Sequence, residues 1–267
     1  MKLADCTFRR NTLLVTMTYV LRYLAMVVIT VVCLSPLLVW SLIDRSGEPG
    51  VRLARIWARW ILRAIGIRIE TIGLENLSLD HPGVLMSNHR SVSDIAALIV
   101  ALPTSFRFVA KKELTYIPIF GWALAVSGQI VIDRSKQTKA IHAMVDAARH
   151  IQGATKIIIF PEGTRSETAE MRAFKSGGFR LAQAYGWPIF PVGIAGSDAI
   201  TPKGSLRIER GTIRMVFGEG ISTVGREGES RDLLKDETRA QITALIERAE
   251  REPAESGGGS LSPITRA

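Results

Sequence analysis

A histidine and an aspartate lie five positions apart in the stretch SNHRSVSD at residues 87–94. An imidazole can take up a proton near neutral pH, and a carboxylate that accepts a hydrogen bond from one ring nitrogen determines which nitrogen is basic. Residues five apart on one continuous helix point about 140° away from each other, so His89 has to precede the helix that carries Asp94. The stretch is thus a candidate general base with its orienting acid.

The same stretch also has the form of a helix cap. Ser91 is followed three residues later by Asp94, directly before a long apolar run, which is a capping box with Asp in place of the usual Glu. In this interpretation Asp94 satisfies free backbone N–H groups, and His89 is only a polar residue at the end of a strand. The two interpretations are compatible, because one carboxylate can accept both kinds of hydrogen bond.

Short apolar runs and helical segments alternate along residues 68–252 and would position these side chains. The pattern predicts strands at 68–73, 83–88, 106–110, 129–133, 156–160, 189–194 and 213–217. It predicts helices at 92–102, 116–127, 137–152, 174–186 and 231–251. Such alternation predicts an α/β domain with a largely parallel sheet flanked by helices, in which ligands collect at the carboxyl ends of the strands. Residues 253–267 are rich in Gly, Ser and Pro and are predicted to be disordered.

Residues 1–67 are predicted to form a membrane-associated helical arm. Residues 23–43 contain no charged side chain, and this uncharged run is long enough to cross a bilayer core. The run predicts an apolar helix at about 12–43. Residues 51–67 predict an amphipathic basic helix, with arginines at helical spacing: Arg52, Arg55, Arg59 and Arg63. Basic residues flank the apolar run on both sides, so the positive-inside rule gives no orientation. A hairpin in one leaflet fits this pattern better than a simple span.

Two other interpretations of the arm compete with membrane association. A cleaved signal peptide is disfavoured, because the apolar run is too long and lacks a small-residue cleavage site. The arginine stripe at 51–67 would also suit an ordinary surface helix whose charged face is exposed to solvent.

Charge and cysteine content restrict the partners and the compartment. The chain has 267 residues and a formal net charge of +9, which favours anionic partners such as lipid headgroups, phosphorylated metabolites or an acidic carrier protein. The sequence contains no nucleic-acid recognition motif, so we expect no nucleic-acid partner. Its two cysteines, Cys6 and Cys33, form neither a metal-ligand pattern nor a disulfide framework. We therefore expect no bound metal and a reducing, cytoplasmic location for the domain.

Three further stretches place polar residues or a proline at the ends of predicted strands. GQIVIDR ends with Arg134, and FPEGTRS contains Glu162, Gly163 and Arg165. The run IFPVGI includes Pro191, which is typical of a strand that is not fully paired at that point. Each feature is weak alone, because an arginine after a strand is usually a solvated surface residue and Glu162 could simply pair with Arg165.

Taken together, these blocks resemble the glycerolipid acyltransferase family, particularly the 1-acylglycerol-3-phosphate acyltransferases. The shared order is N-H-x-x-x-x-D, then G-x-x-x-x-x-R, then F-P-E-G-T-R-S, then a strand with Pro-Val, and it covers roughly residues 70–220. A membrane-binding pair of N-terminal helices also occurs in that family. Two departures, Arg90 where Gln is common and Val131 where Phe is frequent, bear on the acceptor preference more than on the reaction class.

The resemblance implies acyl transfer from acyl-CoA or acyl carrier protein to the sn-2 hydroxyl of lysophosphatidic acid (1-acylglycerol-3-phosphate). The product would be phosphatidic acid, made at the cytoplasmic face of a cell inner membrane. His89 would be the general base and Asp94 its orienting acid, with no cofactor and no covalent intermediate, because a thioester is already activated. Arg165 is the first candidate for the acceptor phosphate, since Arg makes bidentate phosphate contacts. The full implied substrate-binding set is Lys111, Lys112, Arg134, Glu162, Gly163, Thr164 and Arg165. Of the two lysines, the resemblance implies that one completes the anion site with Arg134.

Three alternatives stay open at this point. The same superfamily includes acyltransferases for other lyso-lipids, such as a lyso-ornithine lipid or a lysophospholipid, and the FPEGTRS block does not separate them. A thioesterase would transfer the acyl group to water. A membrane-tethered lipid-binding module without catalysis is disfavoured, because both His89 and Asp94 are present.

Overall fold

The structure is a computed structural model that describes residues 2–44, 47–151, 153–168, 170–226 and 231–252; the predicted tail at 253–267 lies outside them. The helices are α1 Lys2–Trp40, α2 Glu48–Ile65, α3 Ser93–Ala101, α4 Phe120–Val126, α5 Gln137–Ala148, α6 Gly177–Tyr185, α7 Ser197–Ile200 and α8 Arg231–Arg251. The strands are β1 Ile67–Ile72, β2 Gly83–Ser87, β3 Phe106–Lys111, β4 Ile130–Ile132, β5 Lys156–Ile159, β6 Ile189–Ala195 and β7 Gly211–Phe217. Two short 3-10 helices occupy Leu74–Asn76 and Lys112–Tyr116.

The strands form one sheet of seven in the order β1-β7-β6-β2-β5-β3-β4. Every neighbouring pair is parallel except β6 and β7, which are antiparallel. The predicted largely parallel sheet flanked by helices is therefore confirmed. Because β2, β5, β3 and β4 run in the same direction, the loops that follow them meet at one edge of the sheet.

Side chains of the sheet alternate between two cores. In β5, Ile158 packs in the core beside α2 and α3, whereas Ile157 and Ile159 pack in the core beside α5, α6 and α8. This alternation follows from the two-residue period of a strand, and helices on both faces explain why the strand is almost continuously apolar. In β6, the register with β7 begins at Val192, while the carbonyl of Pro191, which has no N–H of its own to donate, accepts the N–H of Gly218 at 2.9 Å.

Glycine and proline move several helix boundaries away from the predicted ones. The basic helix α2 begins at Glu48, before the predicted residue 51, because Pro49 suits the first turn, and it ends at Gly66, whose φ is 85°. The predicted helix at 116–127 is instead the 3-10 helix Lys112–Tyr116 followed by α4, because Pro118 interrupts the helical hydrogen bonds.

Helix α1 lies along the domain rather than projecting from it. Near its middle, the Tyr19 hydroxyl donates to Glu209 at 2.6 Å and the Tyr23 hydroxyl donates to the Leu206 carbonyl at 3.2 Å. Further along, Leu34 and Leu37 are buried against Ala123 of α4. Residues 19 and 37 are separated by about 27 Å of helix, which is close to the thickness of a bilayer core. One face of α1 therefore follows the domain over nearly that whole length.

Lys156, at the start of β5, is a fully buried cation. Its ammonium donates to the carbonyl of His81 and lies 5.3 Å from the ring centre of Phe190. Burial lowers the pKa of Lys156 to about 8, and Asp80 partly opposes this shift. The ordinary pKa of a lysine is about 10.5. Between pH 8 and that value the unfolded chain therefore binds more protons than the folded protein does, and the free energy of unfolding rises with pH in this window.

We predict that Lys156→Met stabilises the protein at pH 7, because it removes the cost of burying a charge. The free energy of unfolding should rise by about 1–3 kcal/mol at pH 7, and the gain should shrink as the pH rises from 8 to 10. Urea unfolding of both proteins at several pH values measures this. Lys139→Met, at an exposed position of α5, is the matched control and should have little effect. A Lys156→Met protein that is less stable than the parent at pH 7 would contradict the argument.

Candidate active site

His89 lies two residues after β2, the central strand of the sheet. The loop that follows the neighbouring strand β5 carries Glu162 and Arg165, and Arg134 follows β4. Because these strands are parallel, all of these residues lie at the same edge of the sheet. The sheet topology therefore brings together stretches that are more than seventy residues apart in the chain, as the hydrogen bond between His89 and Glu162 illustrates.

The side chains of His89 and Asp94 form a hydrogen bond. His89 Nδ1 lies 2.8 Å from Asp94 Oδ2, and the carboxylate is fully buried while the imidazole remains partly exposed. A carboxylate can only accept, so Nδ1 carries the hydrogen and Nε2 is the basic nitrogen. The backbone N–H groups of Arg90 and Ser91 donate to the same carboxylate oxygen, each at 2.9 Å, and stabilise its negative charge.

The predicted helix cap is formed only in part. Helix α3 begins at Ser93, and the Asp94 carboxylate accepts the N–H of Ser91, which is one half of a capping box. The other half is missing, because the hydroxyl of Ser91 accepts from the N–H of Ser93 at 3.2 Å and also contacts Thr201. Asp94 therefore serves the histidine and the preceding turn at once, while Ser91 connects this turn to the segment after β6.

Phe160 and Asn88 fix the position of the histidine. The ring of Phe160, the residue after β5, stacks on the imidazole of His89 with centroids 3.9 Å apart and 15° between the planes. Asn88 is buried and exchanges two hydrogen bonds of 2.8 Å with the backbone of Ile194 in β6. The amide side chain thereby continues the pairing of β2 with β6 and holds the loop at the point where His89 leaves the sheet.

Glu162 connects the β5 loop to the β2 loop. Its carboxylate is buried and accepts the backbone N–H of His89 at 3.1 Å, the N–H of Arg172 at 2.8 Å and the hydroxyl of Ser166. The N–H of Ser166 in turn donates to the carbonyl of His89 at 2.8 Å. The alternative pairing of Glu162 with Arg165 is therefore not formed. The observed contacts make Glu162 an internal support of the histidine backbone.

Gly163 and Arg134 shape the bend of the FPEGTRS loop. Gly163 has φ 74°, a left-handed conformation that favours glycine, and an added Cβ would lie 2.8 Å from the side chain of Lys175. The Arg134 guanidinium donates to the Gly163 carbonyl, and to the Val109 carbonyl at 3.4 Å. Burial lowers the pKa of Arg134 from its ordinary value, although Glu113 partly opposes this. The ordinary value lies so far above neutrality that the guanidinium stays charged.

The other predicted cations differ in their position. Arg165 and Thr164 line the cavity beside His89, and no described residue forms a hydrogen bond or ion pair with the Arg165 guanidinium. Lys111, at the end of β3, lines the same cavity and forms an exposed ion pair with Glu113 at 3.2 Å. Lys112 is exposed and does not line the cavity. The structure thus brings Arg165, Thr164 and Lys111 to the histidine, and leaves Lys112 outside.

An apolar cavity of about 270 Å3 opens beside His89. Its walls come from the arm and from one face of the domain, and include Leu34, Leu37, Trp57, Ile95, Ile99, Phe106, Phe108, Leu114, Phe120, Ala123 and Leu124. Its polar residues are few and include the histidine, Lys111, Arg134, Thr164 and Arg165. A long hydrocarbon chain with an anionic or polar end would match this distribution.

Comparisons with known proteins identify the family. A sequence model described as Acyltransferase matches residues 68–195. The 1-acyl-sn-glycerol-3-phosphate acyltransferase of Pseudomonas aeruginosa is 32% identical over 204 residues, which are 72% of this chain and 78% of that protein. The chain belongs to the acyltransferase family. The resemblance on which the sequence analysis relied is thereby confirmed.

Two further relatives define how far this similarity extends. The chloroplastic 1-acyl-sn-glycerol-3-phosphate acyltransferase of Arabidopsis thaliana is 32% identical over 197 residues, which are 73% of this chain but only 53% of that protein. The chain thus spans about half the length of some curated relatives that it matches. The crystal structure of the 1-acyl-sn-glycerophosphate acyltransferase from Thermotoga maritima is 21% identical with a TM-score of 0.77, and the match covers 91% of this chain and 99% of that one. The two share a fold.

Sequence reasoning missed several residues of this acyltransferase domain. Phe160 could have been found from the sequence, because it is the aromatic residue directly before the Pro-Glu-Gly bend. Asn88 could also have been found, because the amide of an asparagine directly after an apolar strand often forms hydrogen bonds with the backbone. No sequence feature marks Trp57 and Phe120, because their part in the cavity depends on how the arm packs on the domain. In the structure their ring centroids lie 5.9 Å apart.

We predict that Glu162→Ala destabilises the acyltransferase domain, because it leaves three hydrogen-bond donors without their buried acceptor. The free energy of unfolding should fall by about 2–4 kcal/mol, measured by urea unfolding of the detergent-solubilised protein. Glu167→Ala is the matched control in the same loop, because its side chain is 70% exposed and Lys203 is its one ion-pair partner among the described residues. That control should change stability by less than about 0.5 kcal/mol. Equal effects of the two substitutions would rule out the supporting role of Glu162.

Proposed function

We propose that this chain transfers a fatty acyl group from a thioester donor to the sn-2 hydroxyl of 1-acylglycerol-3-phosphate, giving phosphatidic acid. The observation that carries the proposal is the hydrogen bond of 2.8 Å between Asp94 and His89, a residue that lines an apolar cavity. The names of the relatives from Pseudomonas aeruginosa and Arabidopsis thaliana support the same acceptor.

In this mechanism His89 Nε2 removes the proton of the acceptor hydroxyl as its oxygen attacks the thioester carbonyl. The tetrahedral intermediate then collapses, the carbon–sulfur bond breaks, and the leaving thiolate takes the proton from the imidazolium. Asp94 holds the ring by Nδ1 and stabilises the imidazolium between these two steps. The products are the ester and the free thiol of coenzyme A or of acyl carrier protein, so no nucleophilic side chain and no cofactor is needed.

The apolar cavity would bind the hydrocarbon chain of the donor. Its walls are mainly aliphatic and aromatic, and His89 is one of its lining residues, so a chain lying in it could bring its thioester carbon to the imidazole. Burial of the chain would contribute about 0.8 kcal/mol per methylene group. Leu34, Leu37 and Trp57 form the part of the wall that comes from α1 and α2, which makes the arm a part of the donor site.

Arg165 and Lys111 would bind the acceptor phosphate. Both line the cavity together with the histidine, and the Arg165 guanidinium has no competing partner within the described residues. A guanidinium in this situation is available for a bidentate contact with a phosphate. Arg134 already donates to two backbone carbonyls, so we propose that it mainly positions the loop and adds positive charge.

We propose that the arm binds one leaflet of a cell inner membrane and places the domain on the cytoplasmic face. Within the described chain, residues Thr16–Trp40 form the single helix that is apolar and long enough to cross a bilayer. However, hydrogen bonds from the middle of α1 to Glu209 and Leu206, and packing of its C-terminal part on Ala123, tie the second half of the helix to the domain. A helix held in this way lies in the plane of the membrane more readily than it spans it.

We predict that His89→Ala and Asp94→Ala each abolish nearly all acyl transfer while the protein stays folded. The assay follows a radiolabelled acyl donor with and without lysophosphatidic acid, alongside a panel of other lyso-lipids. Loss of a general base is expected to lower kcat by about 100-fold to 10,000-fold. Near-normal turnover by a folded His89→Ala protein would end the proposed mechanism. Label released as free fatty acid without an acceptor would indicate a thioesterase instead.

We predict that Arg165→Ala raises the apparent KM for lysophosphatidic acid far more than that for the acyl donor. Loss of a charged hydrogen-bond partner is worth roughly 1.5–3 kcal/mol, or about one to two decades in affinity. Arg165→Lys should recover only part of this, since an ammonium keeps the charge but loses the bidentate geometry. Arg180→Ala, at an exposed position of α6, is the control. Equal damage to donor and acceptor kinetics would refute the phosphate contact.

A further inference from the structure

The segment from the 3-10 helix Lys112–Tyr116 through α4, called here the 112–126 segment, exposes an unusual number of apolar side chains. Tyr116 is 68% exposed, Ile117 46%, Trp122 52% and Val126 37%. Trp122 and Val126 are four residues apart and share one face of α4. Exposed apolar side chains that are grouped in one short segment mark a surface that contacts another molecule.

The inner face of the same segment forms part of the cavity wall. Leu114, Phe120, Ala123 and Leu124 all line the apolar cavity beside His89. A single layer of chain therefore separates the cavity from the surface on which Tyr116 and Trp122 are exposed. Any molecule that contacts this surface lies directly over the cavity.

The backbone of the segment holds these side chains outward. Ile119 has φ 64°, a conformation that β-branched residues rarely adopt, and it follows Pro118. Gly121 approaches the preceding 3-10 helix so closely that an added Cβ would lie 2.4 Å from the Leu114 carbonyl oxygen. The turn between the two short helices is thus determined by close packing, which keeps the outer and inner faces distinct.

The exposed surface is continuous with the outward face of α1. Ala123 and Phe120 of α4 pack on Leu34 and Leu37 of α1. The adjoining side of α1 is exposed and aliphatic: Val31 lies about 60° around the helix from Leu34, and the same side includes Val20, Leu21, Leu24, Val27, Val28 and Val32. The 112–126 segment therefore extends the apolar face of the helix for which we propose membrane binding.

The composition of the segment matches the boundary of a bilayer. Tryptophan and tyrosine are the residues enriched at the level of lipid headgroups. Lys111, directly before the segment, and Lys112, its first residue, are exposed, and lysines beside an apolar surface bind anionic headgroups. A surface that binds a second protein copy would not need this combination of interfacial aromatic residues and adjacent cations.

We infer that the 112–126 segment is a third membrane-contacting element, which inserts Tyr116, Ile117 and Trp122 into the boundary region of an anionic bilayer. Its position over the cavity makes it the point where a hydrocarbon chain passes between the bilayer and the cavity. The contact with lipid depends only on the exposed surface, whereas the passage of a chain rests on the proposed function.

A fluorescence experiment on the full chain tests the contact with lipid. Trp122→Cys is made in a Cys6→Ser and Cys33→Ala background and labelled with an environment-sensitive NBD fluorophore. Vesicles that contain phosphatidylglycerol should shift the NBD emission to shorter wavelength, and lipids brominated near the headgroup should quench it. Leu233→Cys in α8, which is 58% exposed, carries the same label as the matched control and should show neither effect. Emission from position 122 that is unchanged by vesicles overturns the inference.

The same experiment separates lipid from a second copy of the chain. An emission shift at position 122 that appears without vesicles and grows with protein concentration would indicate self-association through this surface and would also overturn the inference. A shift that needs vesicles and is independent of protein concentration supports it.

A kinetic experiment tests the passage of the chain. The double variant Ile117→Ser with Trp122→Ser should raise the apparent KM for long-chain lysophosphatidic acid in vesicles by about tenfold. Its kinetics with a short-chain, water-soluble acceptor should be unchanged, and Leu233→Ser should change neither. Equal loss with both acceptors would overturn the passage through this surface. A parent protein inactive with both acceptors would refute the proposed function, while the fluorescence result would still decide the lipid contact.

Discussion

The buried carboxylate of Asp94 is the interaction on which the site is built. One of its oxygens accepts hydrogen bonds from the imidazole of His89 and from the backbone N–H groups of Arg90 and Ser91. A fully buried charge is costly unless such donors surround it, so the turn after β2 has to keep the conformation that supplies them. The chemistry expected of the histidine and the local folding of this turn therefore depend on the same atom.

A second buried carboxylate supports the histidine from the other side. Glu162 accepts the N–H of His89, and its other oxygen is bound by Ser166 and Arg172 within its own loop. The loops after β2 and β5 are thus joined by polar contacts at the edge of the sheet, with the ring of Phe160 stacked on the imidazole between them. These contacts hold the backbone, Nδ1 and one ring face of His89, a residue that also lines the cavity.

The arm completes the site as well as serving the proposed attachment to a membrane. Leu34 and Leu37 of α1 and Trp57 of α2 line the cavity together with residues of α3, α4 and β3. Removing the arm would take these three side chains out of the cavity wall, so the proposed membrane attachment and the proposed donor site depend on the same two helices. The indole of Trp57 donates to Thr30 at 3.0 Å, which fixes α2 against α1 at this point.

The sequence by itself determined the elements and the chemical groups. The alternation of apolar runs and helical segments predicted all seven strands and the parallel character of the sheet, and the spacing of His89 and Asp94 predicted their hydrogen bond. These features could be predicted from the sequence because each depends on residues that are close together in the chain. The interruption between the 3-10 helix Lys112–Tyr116 and α4 also depends on neighbouring residues. Pro118 marks this interruption in the sequence, but the prediction of a single helix at 116–127 did not take it into account. The antiparallel pairing of β7, the stacking of Phe160, the internal role of Glu162 and the origin of the cavity wall were decided only by the tertiary structure. They arise from contacts between segments that are far apart in the sequence. Which segments pair depends on the packing of whole layers, and the pairing leaves no periodic pattern in either segment.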